Sequence, residues 1–270
     1  MPNKPVLLFV VLALSPLTFA QRNQPPSTVG GVQPPNTTCL FSFSSGSGPA
    51  LTTYCVTQNG NIAEFSAAGT EFISSPGTAT EGFGMCDNTV LGSPVDYFDY
   101  ASSDSGNWNP AIALLTGTTV VVTRTTTDGH WQLTQTIADM KASTQAYGSA
   151  RITMALKNLS TTERFLVGFR YAQVLPAPFP FADFDTTPTT ALAMTPSAQG
   201  PGLSSTGSFI TNPSDVTFSR VFQTTTPPDP CGINNLSTTF FEGTGGILQL
   251  YTLDIKTHAT LTFSATYRPI

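Results

Sequence analysis

The chain has 270 residues, of which only 10% are charged, and acidic side chains outnumber basic ones by 16 to 11. Proteins that bind nucleic acids or anionic membrane surfaces present clusters of Lys and Arg, and this sequence contains no such cluster. These figures exclude a nucleic-acid-binding role. Ser, Thr, Gly, Asn and Gln must form most of the surface, a balance typical of exported β proteins, in which threonine both forms strands and faces solvent.

The first 20 residues have the pattern of a secretory signal peptide. Lys4 precedes an apolar run from Val6 to Leu14, and Ala20 marks the expected cleavage site. A membrane-spanning helix needs about 20 consecutive apolar residues, more than twice the length of this run. We therefore predict a signal peptide at residues 1–20 and a secreted protein, extracellular or periplasmic, without membrane insertion.

The rest of the chain reads as a leader followed by strands. Residues 21–38 hold four prolines and no apolar periodicity, which predicts a flexible leader. From Cys39 onwards, apolar and polar residues alternate with the two-residue period of half-buried strands, about every ten residues. This pattern predicts one antiparallel β-sandwich domain over residues 39–270. Two long loops interrupt it, at 176–208 and 223–239, and loops of that length are usually functional or anchored.

Residues 95–110, VDYFDYASSDSGNWNP, combine aspartates with aromatic rings and are the segment of the chain whose composition most suggests a binding site. Their aspartates would be costly to bury without partners, so we expect them to stay solvated and an aromatic face beside them to be exposed. An exposed ring beside hydrogen-bonding carboxylates suits a sugar, which has an apolar face and a rim of hydroxyl groups. The candidate glycan-binding residues are Tyr97, Asp99, Tyr100, Asp104 and Trp108.

The same segment raises the alternative of a calcium site. Ca²⁺ prefers six to eight oxygen ligands. Such ligands are offered by Asp96, Asp99, Asp104 and Asn107. Because their spacing does not match an EF-hand loop, we prefer a turn-rich surface segment to a metal site. No other cofactor is indicated.

The dipeptide Asp128-Gly129 predicts a β-hairpin. It lies between two alternating runs, and Asp-Gly is typical of the two-residue type I′ turn, in which both central residues have positive φ. The implied register pairs Thr126 with Trp131 and puts Trp131 on the core face, because side chains alternate between the faces of a strand. We expect the Arg124 guanidinium to lie over the Trp131 indole.

No catalytic arrangement is recognisable. His130 falls on the face opposite the core, among threonines, where no base partner or nucleophile is indicated. Asp183 and Asp185 are two residues apart on one strand, so their side chains point to the same face. They therefore cannot lie on both sides of one glycosidic bond. No GxSxG, HExxH, GxGxxG or P-loop motif occurs. The sequence therefore predicts a protein without catalytic machinery.

The cysteines predict disulfides. An even number in an exported chain is typical of disulfide bonds, and no two of them are close enough for the tight Cys or His cluster of a zinc site. Two bonds follow, in one of three pairings, and one of them should anchor the second long loop. The four residues are Cys39, Cys55, Cys86 and Cys231.

Several segments between residues 54 and 175 carry a resemblance. YCVTQNGNIAEF, EGFGMCD, YFDYASSDSGNWNP and TRTTTDGHWQLTQTI resemble a group of uncharacterised secreted all-β proteins of soil bacteria, acidobacteria especially. The group has no known activity. Because Cys55 and Cys86 lie in the shared segments and the other two cysteines do not, the resemblance implies the pairs Cys55–Cys86 and Cys39–Cys231.

These observations predict a secreted, non-catalytic β-sandwich that binds extracellular polysaccharide or cell-envelope glycan. One alternative is a structural or adhesive protein that self-associates through edge strands, because few lysines guard those edges. The other is a carbohydrate-active enzyme whose acids the sequence does not identify. A groove lined by Tyr97, Tyr100 and Trp108 would favour binding, a flat exposed edge self-association, and convergent carboxylates in a cleft catalysis.

Overall fold

In the computed structural model the described part of the chain is nearly all β-structure. The structure describes residues 37–74, 80–90, 93–101, 103–140, 147–176, 178–196, 201–211, 217–223, 227–233 and 236–270. The predicted signal peptide and the leader up to residue 36 lie outside these ranges. None of the described residues forms a helix with the length and hydropathy of a membrane span.

The strands form three sheets, whose strands pair antiparallel. The strands are β1 (Phe41–Ser45), β2 (Thr52–Val56), β3 (Ile62–Ala67), β4 (Thr70–Ser74), β5 (Glu81–Asp87), β6 (Val95–Tyr100), β7 (Ser103–Asp104), β8 (Ile112–Thr116), β9 (Thr119–Thr125), β10 (Trp131–Met140), β11 (Ser149–Asn158), β12 (Arg164–Val174), β13 (Ala182–Thr186), β14 (Thr190–Met194), β15 (Gly202–Phe209), β16 (Thr217–Phe222), β17 (Leu236–Ser237), β18 (Phe241–Gly243), β19 (Gly245–Ile255) and β20 (Thr260–Pro269). The sheets have the orders β1-β2-β3-β4, β18-β13-β14-β15-β20-β11-β10-β9-β8 and β17-β16-β19-β12-β5-β6-β7.

The nine-stranded and seven-stranded sheets pack face to face. Alternation along β9 and β10 buries every second side chain between them, Val120, Trp131 and Ile137 among them. Aliphatic and aromatic side chains of the seven-stranded sheet, such as Leu166 and Tyr251, complete the same core. The predicted antiparallel β-sandwich is confirmed. The loop predicted at 176–208 is wrong, because this segment contains β13, β14 and most of β15, whose small and polar residues hide the strand pattern.

A buried ion pair of the seven-stranded sheet is hydrogen-bonded to the nine-stranded sheet inside this core. Arg170 of β12 and Glu81 of β5 are both fully buried, and the guanidinium Nη2 lies 2.6 Å from the carboxylate. Tyr267 of β20, in the opposite sheet, donates a hydrogen bond to the same carboxylate at 2.9 Å. Burial raises the pKa of Glu81, and the Arg170 charge opposes that shift. The pair is fully hydrogen-bonded, which is the condition for tolerating buried charge.

The predicted hairpin register is confirmed, but the turn type is wrong. Thr126 N–H donates to the Trp131 carbonyl at 3.0 Å, and the ladder of β9 and β10 continues in the predicted register. Within the turn, positive φ occurs at Gly129 (72°) and not at Asp128. The Asp128 carboxylate accepts the His130 N–H at 3.0 Å instead, so a side-chain hydrogen bond closes the turn.

The predicted contact between Arg124 and Trp131 is wrong, because each of the two side chains has a different cation–aromatic partner. The Arg124 guanidinium lies over the Trp108 ring at 5.4 Å, not over Trp131. Trp131 is covered by Arg164 at 5.9 Å, and its indole N–H donates to Asp87 at 3.1 Å. The contact that was predicted within the hairpin is therefore made across the sandwich, by chain segments that the hairpin pattern does not contain.

The disulfide pairing implied by the resemblance is wrong. The bonds are Cys39–Cys55 and Cys86–Cys231, with Cα separations of 5.6 and 4.9 Å. Cys39 precedes β1, which pairs with the β2 strand of Cys55, whereas Cys86 lies in another sheet. Two cysteines that lie in segments resembling the same family are therefore not necessarily bonded to each other. The second long loop is anchored by Cys231, as predicted.

Candidate functional site

The three aromatic candidates of residues 95–110 are buried, so the predicted sugar platform is wrong. Tyr97, Tyr100 and Trp108 keep 1%, 1% and 7% of their surface accessible. Trp108 packs edge-on against Phe83 and Tyr97 in the main core. Tyr100 belongs to a second cluster beneath the Cys231 loop, where its hydroxyl donates to the Pro228 carbonyl at 2.6 Å. The rings of this segment are scaffold.

The aspartates of the segment are partnered, which is why the rings can be buried. Asp99 is fully buried, pairs with Arg124 and accepts the Asn61 amide at 2.7 Å. Asp104, a second predicted ligand-binding residue, lies 3.2 Å from the same guanidinium. Burial raises the pKa of Asp99 to about 7, and the Arg124 charge opposes that rise. One arginine thus contacts both carboxylates.

The calcium alternative fails for the same reason, because Arg124 occupies the position between Asp99 and Asp104 that a cation would need. Of the other two candidate ligands, Asp96 accepts the Cys231 N–H at 2.6 Å, and the Asn107 amide donates to the Asp96 carbonyl at 2.7 Å. The one cluster of potential ligand atoms in the described ranges joins Asp96 to the sulfurs of the Cys86–Cys231 bond. Disulfide sulfurs are not thiolates and do not hold a metal as such.

His130 has an ionic partner that the hairpin pattern did not indicate. Its Nδ1 lies 3.1 Å from the Asp128 carboxylate, which also accepts the Tyr97 hydroxyl. Burial opposes ionisation of Asp128, but hydrogen bonds from Thr126 and Tyr97 lower its pKa overall. In the described ranges no hydroxyl or thiol hydrogen-bonds the histidine ring. The pair stabilises the turn and lacks the nucleophile of a triad.

Asp183 and Asp185 share one face of β13, as the sequence predicted. The structure adds Glu242 of β18, which stands directly opposite Asp183 in the ladder. Cβ atoms of such facing residues lie about 5 Å apart. Sequence analysis missed this pair because the two residues are far apart in the chain and meet only in the sheet.

One exposed apolar edge matches the self-association alternative. Strand β8 borders the nine-stranded sheet, and its Ile112 and Leu114 side chains are 64% and 51% exposed. An edge strand has unpaired backbone groups that can pair with another chain.

The candidate functional site is a cleft of about 1110 Å³ along strand β1. Strand β1 is the edge of the four-stranded sheet, and the cleft is completed by Leu115, Thr118 and Asp139 at one end of the nine-stranded sheet. The Cys39–Cys55 disulfide lines it and ties the start of β1 to β2.

A stack of aromatic rings forms one wall of this β1 cleft. Phe43 and Tyr54 face each other on β1 and β2 and stack with their centroids 4.9 Å apart. Phe65 of β3 continues the stack behind Tyr54 at 6.0 Å. Cross-strand register alone produces this stack, because the three residues share one face of neighbouring strands.

The other lining groups are polar and acidic. Alternation puts Ser42, Thr53 and Ser66 on the opposite face of the four-stranded sheet, where Thr53 and Ser66 hydroxyls hydrogen-bond at 2.6 Å. The acidic lining residues are Glu64, Glu71 and Asp139. Among the described residues that line the cleft, none is basic. The β1 cleft therefore repels anions and offers hydrogen-bond acceptors.

The Tyr54 hydroxyl is the chemically unusual group of the β1 cleft. Tyr54 is 3% exposed, and its hydroxyl has no hydrogen-bond partner among the described residues. Burial, and to a smaller extent the Asp139 charge, raise its pKa, so the phenol stays protonated. A buried donor without a partner is costly, and it is satisfied if a ligand supplies an acceptor.

Strand alternation could have assigned the faces of these residues from the sequence. Nothing in the pattern showed that β1 to β4 form a separate sheet or that Asp139 lies against it. The β1 cleft depends on that tertiary contact.

No protein-family model and no curated protein matches the sequence. Solved structures that share the fold include the following two. A bacterial glucoamylase in complex with acarbose aligns with a TM-score of 0.54 at 9% identity, over 92% of this chain and 35% of the glucoamylase. The Slr1438 protein from Synechocystis sp. PCC 6803 aligns with a TM-score of 0.50 at 6% identity, over 85% and 95% of the two chains. The chain spans about a third of the length of the glucoamylase. At these identities the likeness concerns the fold alone, and one of these two proteins is a carbohydrate-active enzyme.

Proposed function

We propose that the protein is a secreted, non-catalytic binder of neutral extracellular or cell-envelope glycan, which it holds in the β1 cleft. The observation that carries this proposal is the Tyr54 hydroxyl, buried in the wall without a partner. Two disulfides are typical of an oxidising compartment outside the cytoplasm, where such polymers occur.

The lining chemistry suits a sugar. A pyranose has apolar C–H faces and a rim of hydroxyl groups, and binding sites for small ligands combine apolar walls with a few placed polar groups. The half-buried Leu40 and Leu115 supply apolar surface, and the buried rings of Phe43 and Tyr54 lie behind it. Asp139 accepts hydrogen bonds from sugar hydroxyls near Tyr54, whereas Glu64 and Glu71 accept them on the other face of the four-stranded sheet. The Tyr54 phenol then donates to a ring or hydroxyl oxygen of the ligand.

The charge of the β1 cleft selects among glycans. Acidic side chains line the cleft and no described lining residue is basic, which raises the cost of placing a uronate or a sulfate ester there. Neutral sugars avoid this repulsion. We therefore expect neutral oligosaccharides to bind more tightly than uronic acid oligomers of the same length.

A glycan array of neutral and acidic oligosaccharides, followed by titration calorimetry with the best ligand, tests the proposal. Tyr54→Phe should weaken that ligand by about 5- to 15-fold, the value of one hydrogen bond. Tyr171→Phe is the matched control, because the Tyr171 hydroxyl is also buried without a partner in the described ranges but lies in the cluster of Phe222 and Leu248. Equal affinity of Tyr54→Phe and wild type would refute the proposed site.

A glycoside hydrolase is the second candidate. Its acids would be Asp139 of β10 and either Glu64 or Glu71 of the four-stranded sheet, since hydrolysis needs two carboxylates on different structural elements and these residues line the cleft from two sheets. A substrate would have to pass around the β1 edge to contact both, because Glu64 and Glu71 lie on the sheet face opposite Tyr54. Release of reducing ends from the bound oligosaccharide, abolished in Asp139→Asn, would replace the binding proposal by this one.

Self-association through β8 stays a prediction. Size-exclusion chromatography of wild type beside Leu114→Lys tests it, since a charge at the exposed edge should block pairing with a second copy. A monomer in both samples would exclude it.

A further inference from the structure

The outer face of the nine-stranded sheet carries two arginines that face solvent. Arg151 of β11 stands opposite Thr266 of β20, and Arg268 is the next residue of β20 on the same face. The two arginines are therefore diagonal neighbours, with Cα atoms about 7–8 Å apart, which long side chains can bridge. Their sequence neighbours Ile152 and Tyr267 point to the opposite face and are buried in the core.

The two guanidinium groups border a hollow of about 210 Å³. Thr266 and Thr206 face each other across β20 and β15, and Ser264 and Ser208 do the same with their hydroxyls 3.0 Å apart. These four hydroxyl groups line the hollow with the arginines, and none of the described residues that line it is acidic. The hollow has the size of a single sugar unit or a smaller anion.

This pair differs from three other arginines in its ion pairing. Arg124, Arg164 and Arg170 each form an ion pair with a carboxylate. Arg151 and Arg268 have no carboxylate within 4.0 Å in the described ranges, and the Arg268 Nε is buried without a hydrogen-bond partner there. In a chain with a net charge of −5, carboxylates are plentiful, yet none neutralises this pair.

We propose that the hollow between Arg151 and Arg268 binds an oxyanion, either free or carried by a sugar. Guanidinium groups bind carboxylates, sulfates and phosphates with paired N–H···O contacts, and the unpartnered Nε offers one such donor. The threonine and serine hydroxyls bind the remaining oxygens. This site is separate from the β1 cleft in position and opposite to it in charge.

The test is titration of the purified protein with sodium glucuronate, sodium phosphate and glucose at constant ionic strength, followed by calorimetry. Glucuronate or phosphate should bind saturably. Arg151→Gln and Arg268→Gln should each weaken that anion about tenfold or more, as expected for loss of a charge-assisted contact. Arg220→Gln, on the other large sheet, is the control and should bind as wild type does.

The arms of the experiment separate the sources of the anion. Glucuronate at least about tenfold tighter than phosphate identifies a sugar-borne carboxylate, and the reverse identifies a free phosphate-like ion. If Arg268→Gln does not fold, Arg151→Gln alone decides. No saturable binding of either anion, or equal binding by wild type and Arg151→Gln, overturns the proposal. Tyr54→Phe should leave anion binding unchanged, so failure of this site and failure of the β1 cleft are distinguishable.

Discussion

Two regions of the molecule combine aromatic rings with carboxylates, and they have opposite properties. In residues 95–110 the carboxylates of Asp99 and Asp104 share Arg124, and the rings around them are buried as scaffold. In the β1 cleft the acidic side chains line an open cavity without a basic residue, and the Tyr54 hydroxyl has no partner in the described ranges.

The difference shows that residue types alone do not mark a site. What separates the two regions is whether their polar groups are satisfied by the protein itself. A satisfied group such as Asp99 contributes to folding, whereas an unsatisfied buried group retains free energy that a ligand can release. Variants that change partners should therefore affect stability in one region and binding in the other.

The largest effect is expected from the disulfide beside residues 95–110. Cys86–Cys231 closes a loop of 145 residues and Cys39–Cys55 one of 16. Chain entropy then predicts a loss of about 5 kcal/mol for the double alanine variant of the first pair and about 3 kcal/mol for that of the second. Urea unfolding of both variants measures the difference. Equal losses would show that native-state strain or residual structure in the unfolded chain outweighs loop length.

The next effect concerns the guanidinium that satisfies the first region. Arg124→Ala leaves the buried Asp99 without its ionic partner, and such losses cost about 3 to 5 kcal/mol in unfolding free energy. Arg164→Ala is a milder control, since Arg164 is partly exposed beside Asp87. A melting temperature of Arg124→Ala within a few degrees of wild type would mean that water replaces the guanidinium.

Much of the fold could be predicted from the sequence, because strands and hairpins depend on residues that are close together in the chain. Alternation in β9 and β10 places Trp131 in the core, and Asp128-Gly129 sets the register. The errors have a different origin. Asp99 meets Arg124 across 25 residues of chain, and Asp139 reaches the β1 cleft from another sheet. Partners at such distances depend on how sheets pack, which a two-residue period does not contain.

The smallest expected effect is on the unfolding free energy when one tyrosine hydroxyl is removed from each region. The Tyr97 hydroxyl donates to the Asp128 carboxylate, whereas the Tyr54 hydroxyl has no partner among the described residues. Tyr97→Phe should lower the unfolding free energy by about 1.5 kcal/mol, because a hydrogen bond to a charged group is lost. Tyr54→Phe should leave it unchanged or raise it by up to about 1 kcal/mol, because a buried group without a partner is removed.

The pH dependence of the same two variants separates them further. The pKa of Asp128 is lowered in the folded state, so its contribution is present above the ordinary aspartate pKa of about 4 and is lost as the pH falls through its lower folded value. The deficit of Tyr97→Phe relative to wild type should therefore be present at pH 7 and shrink below pH 4, while the difference for Tyr54→Phe should not. Urea unfolding at pH 7 and pH 3 measures both. A loss of stability in Tyr54→Phe as large as that in Tyr97→Phe would mean that the Tyr54 hydroxyl is already satisfied in the free protein, and the β1 cleft would then lack the group on which ligand binding depends.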